Sequence, residues 1–312
     1  MKVMLLVNPY ASGVDWKSRM AANSALIAGH DLTTVETAKR DDAIAICRQA
    51  AEDGYEVVVV LGGDGTLNEA ANGLAGTSTA LAALPGGSTN VFARTIGMAP
   101  KTNRAASQLQ AALGREDSVR TFGLGTVNAS NSTTNGRHFL FHLGVGYDAA
   151  VVAQVERRSQ LKRKLGQVVF VYAAFATWFR HYDHRRPSFA LRFPDGATVD
   201  DGFFTICLNT NPYTYLGARP LCVTPDTGPD RGLVTVTTRK LKVRTLLTLF
   251  GSALGKGEIL RRNKNVDYRT DLSSLTITGH KPFPHQVDGD YLGEAEELRV
   301  THGEATIRLI VP

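Results

Sequence analysis

The chain has 312 residues, about twice the length of a typical domain, so we expect two domains. Hydrophobic residues make up 43% of it and charged residues 21%, which excludes a disordered or collagen-like chain. The formal net charge is +6, but residues 151–270 hold 20 Lys and Arg against 9 Asp and Glu, whereas the remainder holds 15 against 20. The excess of +11 in that one segment predicts an anionic partner for it.

Cysteine content and hydropathy indicate the compartment. The three cysteines form no Cys-X-X-Cys pair, which predicts neither a disulfide framework nor a thiolate zinc site and fits a reducing cytoplasm. The apolar run within Met1–Val7 is too short for a signal peptide. The longest apolar stretch, Val168–Ala176, is shorter than the roughly 20 residues of a transmembrane helix. We therefore expect a cytoplasmic protein that associates with a membrane only peripherally.

The first 120 residues alternate between strand and helix patterns. Predicted strands cover Val3–Val7, Leu32–Val35, Val57–Leu61 and Ala80–Leu84, and predicted helices cover residues 16–28, 43–52, 67–74 and a segment from about Val91. The continuous β-branched run at Val57–Leu61 is typical of a buried parallel strand. This alternation predicts right-handed crossovers and an α/β domain with a parallel sheet over residues 1–122.

After about residue 122 the pattern changes. Short strand patterns separated by Gly, Pro, Asn and Asp occur at 139–143, 188–193, 203–208, 233–238, 275–278, 298–300 and 306–311. Helical patterns interrupt them at about 149–181 and 242–262. We predict a mostly antiparallel β domain over residues 123–303, and the final strand, 304–312, could return to the first domain.

The loop after the third predicted strand carries the most specific motif, LGGDGTLNE at 61–69. Its glycines allow close approach of a phosphate, and the N–H groups at the start of the following helix form an anion site. An acidic residue there would repel phosphate, so Asp64 predicts a Mg²⁺ ion that bridges it to the phosphates, directly or through water. The alternative is a tight turn in which Asp64 serves as a cap.

Three further segments carry polar groups at predicted turns. PGGSTN at 85–90 could bind phosphate or cap the next helix, and the loop Asn8–Gly13 is a weaker phosphate-binding candidate. Asp288 and Asp290 flank Gly289 late in the chain. This pair could hold a metal, act as a general base or form a turn, and for the pair alone the turn is favoured.

Together these motifs resemble the diacylglycerol kinase catalytic-domain family, which includes bacterial diacylglycerol kinases and sphingosine kinases. The resemblance rests on NP at 8–9, GGDGTLNEAANG at 62–73, PGGSTNVFAR at 85–94, GVGYD at 144–148, PDRGL at 229–233 and VDGD at 287–290. GGDGT is shared with NAD kinases and, loosely, with phosphofructokinases, but its continuation and PGGSTN narrow the resemblance to lipid kinases. It implies an α/β nucleotide-binding domain, a C-terminal β-sandwich and an active site in the cleft between them.

The resemblance also implies roles for individual residues. ATP is the implied cofactor, with a phosphate site formed by Asn8, Pro9, Ser12, Gly13, Thr37, Gly62, Gly63, Asp64, Gly65, Thr66, Leu67, Asn68, Ser88, Thr89 and Asn90. Asp64 would organise the catalytic Mg²⁺, Asp290 would accept the proton of the attacking hydroxyl, and Asp288 would assist. The implied reaction converts diacylglycerol to phosphatidic acid. An NAD kinase-like enzyme with a soluble substrate and a catalytically weak nucleotide- and lipid-binding protein are the alternatives.

Four positions depart from the family pattern. Asp290 stands where the family usually has Glu, Val91 where it often has Asp, and Val14 where it usually has Lys. The family's structural metal loop has Asp directly before its glycine, whereas this chain has Arg231 there, which leaves Asp230 as the adjacent candidate ligand.

Basic residues flank an apolar segment in the second half. Leu165–Phe179 is apolar on all sides, with Arg157, Arg158, Lys162, Arg163 and Lys164 before it and Arg180, Arg185 and Arg186 after it. The segment is predicted either to be a core helix or to contact an anionic membrane. In the second case, the membrane-facing side could also include Lys256, Arg261, Arg262 and Lys264. We expect a lipid substrate at an anionic membrane surface. We do not expect the protein to bind nucleic acid, because no basic stripe is interleaved with aromatic residues. The oligomeric state is left open, a homodimer included.

Overall fold

The structure is a computed structural model that describes residues 1–130, 136–156, 186–228, 231–240, 242–255 and 258–312. The described chain forms two compact units. Unit 1 comprises Met1–Leu124 and Ala305–Pro312, and unit 2 comprises Gly125–Glu304. The predicted apolar segment Leu165–Phe179, the candidate ligand Asp230 and Lys256 lie outside the described residues.

Unit 1 alternates strands and helices along a parallel sheet. Its elements are β1 (Lys2–Val7), α1 (Trp16–Ile27), β2 (Asp31–Glu36), α2 (Asp42–Glu52), β3 (Val57–Gly62), α3 (Asp64–Leu74), β4 (Ala80–Pro85), α4 (Val91–Thr95), α5 (Thr102–Ala112), a 3-10 turn (Glu116–Ser118) and the beginning of β5 (Val119–Ala129). The strand order is β2-β1-β3-β4, with every neighbour parallel. The last strand of the chain then runs parallel to β4, with Arg308 opposite Ala80 and Leu309 opposite Leu81.

The sequence of unit 1 explains this layering. All six residues of β3 and all six of β4 are buried, as expected for parallel strands covered on both faces by helices. Helices α2 and α3 pack closely at Gly73, where an added Cβ would lie 2.5 Å from the carbonyl oxygen of Ile44. Because helices cover the faces of the sheet, the groups that a ligand could reach lie in the loops at the ends of its strands.

Unit 2 is antiparallel in its main sheet. Its elements are the end of β5, β6 (Arg137–Phe139), β7 (His142–Gly146), α6 (Tyr147–Glu156), β8 (Phe189–Arg192), β9 (Thr198–Gly202), β10 (Phe204–Leu208), β11 (Thr214–Leu216), β12 (Arg219–Leu221), β13 (Leu233–Thr238), α7 (Val243–Leu254), a 3-10 helix (Glu258–Arg262), β14 (Val266–Leu272), β15 (Ser274–Val287) and most of β16 (Asp290–Ile310). The strand order is β14-β13-β10-β7-β15-β16. Strand β8 joins β15 to β9, β5 pairs with β6, and β11 and β12 form a separate pair.

Two hydrophobic clusters lie on opposite faces of β10 and β13. Cys207 and Leu233 belong to one cluster, which β15 and β16 complete. Ile206 and Val234 belong to the other, which packs against residues of α7 such as Ala253. Side chains of a strand alternate between faces, so this division follows directly from the sequence.

The free cysteines belong to these interiors. Cys47 and Cys207 are buried, and Cys222 is partly buried. Burial raises the pKa of both Cys47 and Cys207 to about 12. Neither thiol is therefore ionised at neutral pH, and both act as small apolar side chains.

The predicted fold class is confirmed, because a parallel α/β part precedes a mostly antiparallel β part. Several elements differ from prediction. Helix α3 begins at Asp64 rather than residue 67, and α5 was not predicted because three of its four buried residues are alanines, which give a weak apolar pattern. The predicted strands at 298–300 and 306–311 form one 21-residue strand, β16. No helix in the described ranges is long and apolar enough to cross a bilayer.

Candidate functional site

Three loops meet at the carboxyl ends of β1, β3 and β4 in unit 1. The N–H of Asn8 donates to the carbonyl oxygen of Leu61 at 3.0 Å. The N–H of Gly13 donates to Gly86 O at 2.8 Å, and the N–H of Gly86 donates to Gly62 O at 2.9 Å. The three predicted phosphate loops are therefore neighbours joined by backbone hydrogen bonds, at the edge where open α/β sheets bind ligands.

The side chain of Asn8 fixes the first loop to α3. Its Nδ2 donates to the hydroxyl oxygen of Thr66 at 2.7 Å, while its Oδ1 accepts the N–H of Tyr10 at 3.0 Å. Thr37 is buried at the end of β2, and its N–H donates to Val7 O at 3.0 Å. Asn8 thus acts as a brace between two of the loops.

The predicted ATP-binding residues differ in accessibility. Ser12 and Ser88 are exposed, and Thr89 is partly buried. Leu67 and Asn68 are buried within α3, with exposed fractions of 4% and 1%. The first residues of α3 therefore remain the accessible part of the motif, and Leu67 and Asn68 face the interior.

The glycines of the second loop allow the loops to pack together. A Cβ added at Gly86 would lie 2.8 Å from Gly62 N, and one at Gly87 would lie 2.7 Å from Gly63 Cα. At Gly63 the nearest atom to an added Cβ would be 3.5 Å away, an ordinary contact. Gly63, the N-cap residue of α3, supplies no side-chain cap to the first turn, and N–H groups at such a helix start suit an anion. The sequence motif thus combines glycines needed for packing with a glycine beside the anion site.

We expect Gly87→Ala and Gly63→Ala to separate these two roles. Gly87→Ala must push the two loops apart, so it should lower the melting temperature even without nucleotide. Gly63→Ala should leave that melting temperature nearly unchanged and weaken ATP binding, because a methyl group would stand beside the N–H groups of the first turn of α3. Differential scanning fluorimetry with and without ATP measures both effects. Equal melting temperatures for the two variants would contradict the packing role.

Asp64 links the first turn of α3 to the start of α4. Its Oδ2 accepts the N–H of Val91 at 2.9 Å, and its Oδ1 accepts the N–H of Phe92 at 3.1 Å. Asn90, at the N-cap position of α4, makes no side-chain cap and instead bonds to the backbone of Gly87. Asp64 therefore supplies the cap of a helix that begins 27 residues later.

Asp64 is the acidic side chain of this loop that could face a metal ion. In the described part of the chain, no three His, Cys, Asp or Glu side chains lie together, so a Mg²⁺ ion here would take most of its ligands from phosphate oxygens and water. Both oxygens of Asp64 accept backbone N–H groups, and Glu69, the next acidic residue, is buried near α2, where Ala43 N donates to it at 3.3 Å. The role of Asp64 as a Mg²⁺ ligand stays a prediction.

The Asp288–Asp290 segment of unit 2 is a two-residue hairpin turn. Val287, at the end of β15, pairs with Asp290, the first residue of β16. Asp288 and Gly289 have φ angles of 50° and 91°, the positive values that a type I′ turn requires. The turn that the local sequence favours is present.

The carboxylate of Asp288 is buried and fully engaged with backbone. Its Oδ2 accepts Leu140 N–H at 2.8 Å, and its Oδ1 accepts Phe141 N–H at 3.0 Å and His142 N–H at 2.9 Å. Its own N–H donates to His142 O at 2.9 Å. Because these N–H groups serve Asp288, the predicted strand 139–143 is interrupted between β6 and β7. Asp288 anchors the turn, a role that the sequence did not reveal, whereas Asp290 is partly exposed.

Arginine side chains neutralise the carboxylate of Asp226, which lies in the loop before Arg231. Asp226 is bound by the guanidinium of Arg261 and the hydroxyl of Tyr268, and Arg231 Nη1 donates to its carbonyl oxygen at 3.2 Å. Burial acts to raise the pKa of Asp226, but the hydrogen bonds from Arg261 and Tyr268 outweigh it and lower the pKa. The cationic groups beside Asp226 in the described residues are therefore the guanidinium groups of Arg231 and Arg261.

His142 is the buried titratable side chain next to the Asp288 anchor. Its ring lies 4.3 Å from that of Tyr213 between centroids, and its Nδ1 has no hydrogen-bond partner. Burial lowers the pKa of His142 to about 3. The imidazole is therefore neutral in the folded protein at every physiological pH.

This burial predicts a loss of stability in acid. Below pH 6.5 the unfolded chain takes up a proton at His142 and the folded chain does not, so the free energy of unfolding should fall by about 1.4 kcal/mol per pH unit towards pH 3. Above pH 7 the effect vanishes, because both states are neutral. His142→Phe keeps a ring beside Tyr213 and should make this dependence shallower in urea titrations, although His138, His285 and His302, whose pKa values burial also lowers, still contribute to it. Parallel slopes for the two proteins would refute it.

Comparisons with known proteins agree with the motifs. Residues 2–122 match the model of the diacylglycerol kinase catalytic domain. The chain is 28% identical to a "Probable lipid kinase YegS-like" of Pseudomonas aeruginosa, over all of this chain and 94% of that protein. It is 27% identical to a "Diacylglycerol kinase" of Mycobacterium tuberculosis, over 93% of this chain and 89% of that protein.

A solved structure extends the similarity to the fold. A crystal structure from Bacillus anthracis matches with a TM-score of 0.74 and 24% identity, over all of this chain and 97% of that one. The resemblance seen in the motifs is confirmed: residues 2–122 match the model of the diacylglycerol kinase catalytic domain, and the whole chain is similar to a protein named as a probable lipid kinase.

Proposed function

We propose that the protein is an ATP-dependent kinase that phosphorylates a lipid hydroxyl, with diacylglycerol as the acceptor and phosphatidic acid as the product. The observation that carries this proposal is the meeting of three phosphate-type loops at one edge of the unit 1 sheet. Uncapped N–H groups at the start of α3 suit the charge of a nucleotide phosphate. The names of the relatives support a lipid acceptor.

The residues of unit 1 would position the nucleotide. The N–H groups of Gly63, Asp64 and Gly65 would face the phosphates, with Asn8 holding the first loop in place. Asp64 would keep α4 and its loop in register through its two backbone hydrogen bonds. When bound with ATP, Mg²⁺ would neutralise charge on the phosphate oxygens. Most of the rate would then come from positioning and electrostatic stabilisation.

Unit 2 would supply the proton acceptor. The acceptor hydroxyl oxygen attacks the γ-phosphorus, the bond from that phosphorus to the bridging oxygen breaks, and ADP leaves. The carboxylate of Asp290 would take the hydroxyl proton during this step. Asp288 would hold the turn that presents Asp290, because its own carboxylate is occupied by three N–H groups.

The lipid acceptor implies a peripheral membrane location on the cytoplasmic side. The basic excess of residues 151–270 supports contact with anionic headgroups, each nearby Lys or Arg contributing about 1 kcal/mol. That segment would bind lipid.

The test is ATP-dependent phosphorylation of a total lipid extract, with products identified by mass spectrometry and Asp290→Asn as the control. We expect phosphatidic acid from the unmodified protein and none from the variant. Phosphorylation of NAD without lipid products would instead support a soluble-substrate kinase. ATP binding without turnover on any acceptor would support a non-catalytic binding protein.

A further inference from the structure

A polar groove of about 430 Å³ lies on the outer face of the unit 2 sheet, apart from the Asp288 turn. Strands β8, β15 and β16 form its floor. Its lining residues are Arg192, Phe193, Pro194, Ser274, Leu275, Thr276, Glu297 and Arg299.

Strand register places two arginines in one row across this groove. Thr276 on β15 pairs with Arg192 on β8 and with Arg299 on β16. Residues directly opposite each other point to the same face, and adjacent strands are about 4.8 Å apart. The two arginine Cα atoms therefore lie about 10 Å apart, with the hydroxyl of Thr276 between them. Both arginine side chains are exposed, whereas Leu275 beside them is buried.

Among the described residues, the two arginines of this row form no ion pair. Five other unit 2 arginines contact a carboxylate or a carbonyl, namely Arg219, Arg231, Arg239, Arg261 and Arg269. Across the described ranges, neither Arg192 nor Arg299 has an ion-pair partner. Glu297, which also lines the groove, accepts the hydroxyl of Thr278 at 3.3 Å. The groove thus holds two guanidinium groups against one carboxylate, and the two guanidinium groups flank the Thr276 hydroxyl on one face.

We propose that Arg192, Thr276 and Arg299 form a binding subsite for a phosphate group. A guanidinium presents paired N–H donors that match two phosphate oxygens, and the threonine hydroxyl adds a third donor. The phosphate is that of a phospholipid headgroup in a bilayer or of a soluble phosphate compound, since both present the same oxygens. The subsite does not depend on the proposed kinase reaction.

The test uses the full chain and the double variant Arg192→Gln/Arg299→Gln. Sedimentation with phosphatidylglycerol vesicles measures the bilayer source, and calorimetric titration with inorganic phosphate and glycerol phosphate measures the soluble source. The control is Arg48→Gln/Arg104→Gln, which removes the same charge from exposed positions of α2 and α5 in unit 1. We expect the groove variant to bind one of these probes more weakly by about fivefold per arginine, and the control to bind normally.

The vesicle and calorimetric measurements distinguish a phospholipid headgroup from a soluble phosphate as the ligand. Weaker vesicle binding alone supports a headgroup site, and weaker binding of soluble phosphate alone supports a site for soluble phosphate. Arg192→Lys/Arg299→Lys keeps the charge but loses the paired donors, so its affinity should fall between those of the unmodified protein and the glutamine variant. An equal loss in the control variant, or no loss in either, would overturn the proposal. Circular dichroism of all variants checks that the sheet is retained.

Discussion

Asp288→Asn is expected to lower the free energy of unfolding by about 3 kcal/mol, since a charged acceptor of three buried N–H groups is replaced by a neutral amide. At least one hydrogen of the asparagine side-chain NH₂ would then point at a backbone N–H group of residues 140–142. That N–H group would lose its acceptor. Asparagine tolerates the positive φ of 50° at this position, so the change tests the carboxylate rather than the turn. Urea unfolding followed by circular dichroism measures the loss.

Asp290→Asn is the matched control, two residues away in the same hairpin. Asp290 is partly exposed, so its substitution should change the free energy of unfolding by less than about 1 kcal/mol. Phosphoryl transfer should nevertheless be lost, because the proposed proton acceptor is gone. Similar unfolding curves for the two variants would contradict the anchoring role of Asp288, and retained transfer in Asp290→Asn would contradict the role of Asp290.

Asp64→Ala should reduce phosphoryl transfer by about 100-fold or more and also destabilise unit 1 by about 2 kcal/mol. The second effect follows because the N–H groups of Val91 and Phe92 lose their acceptor. It should appear as a lower melting temperature without ATP or Mg²⁺.

The metal-free measurement is decisive for the role of Asp64. A residue that only held Mg²⁺ would leave the melting temperature of the nucleotide-free protein unchanged, and that result would contradict the capping role. Asp42→Ala provides a comparison, since Asp42 also accepts two backbone N–H groups, those of Ala38 and Lys39, at 2.9 Å each. It should destabilise the protein while transfer is retained.

Local patterns were sufficient for most of unit 1. The β-branched run of β3 and the glycines after it lie within ten residues, so the strand, the turn and the following helix could be predicted together, although the helix begins three residues earlier than predicted. The sequence could not distinguish glycines that must contact another loop from a glycine that lies at the start of a helix with ordinary space around it. That difference at Gly86, Gly87 and Gly63 depends on distances between loops that are far apart in the chain.

Unit 2 was harder to predict because its informative contacts are remote in sequence. Asp288 accepts N–H groups from residues 146 to 148 positions away, and no local pattern marks such a partner. The row of Arg192, Thr276 and Arg299 likewise exists only once three strands are in register. In the structure, the alternation of β15 buries Leu275 and Ile277 and leaves Thr276 partly exposed between them.

Strand β16 has a consequence for the order in which the chain is made. Its last residues run beside β4, so the sheet of unit 1 needs a strand that is synthesised after all of unit 2. Until Arg308 and Leu309 leave the ribosome, β4 presents an unpaired edge, and such edges are prone to misassembly. A nascent chain of residues 1–124 is therefore an incomplete domain, because the edge of β4 stays unpaired until residues 305–312 have been synthesised.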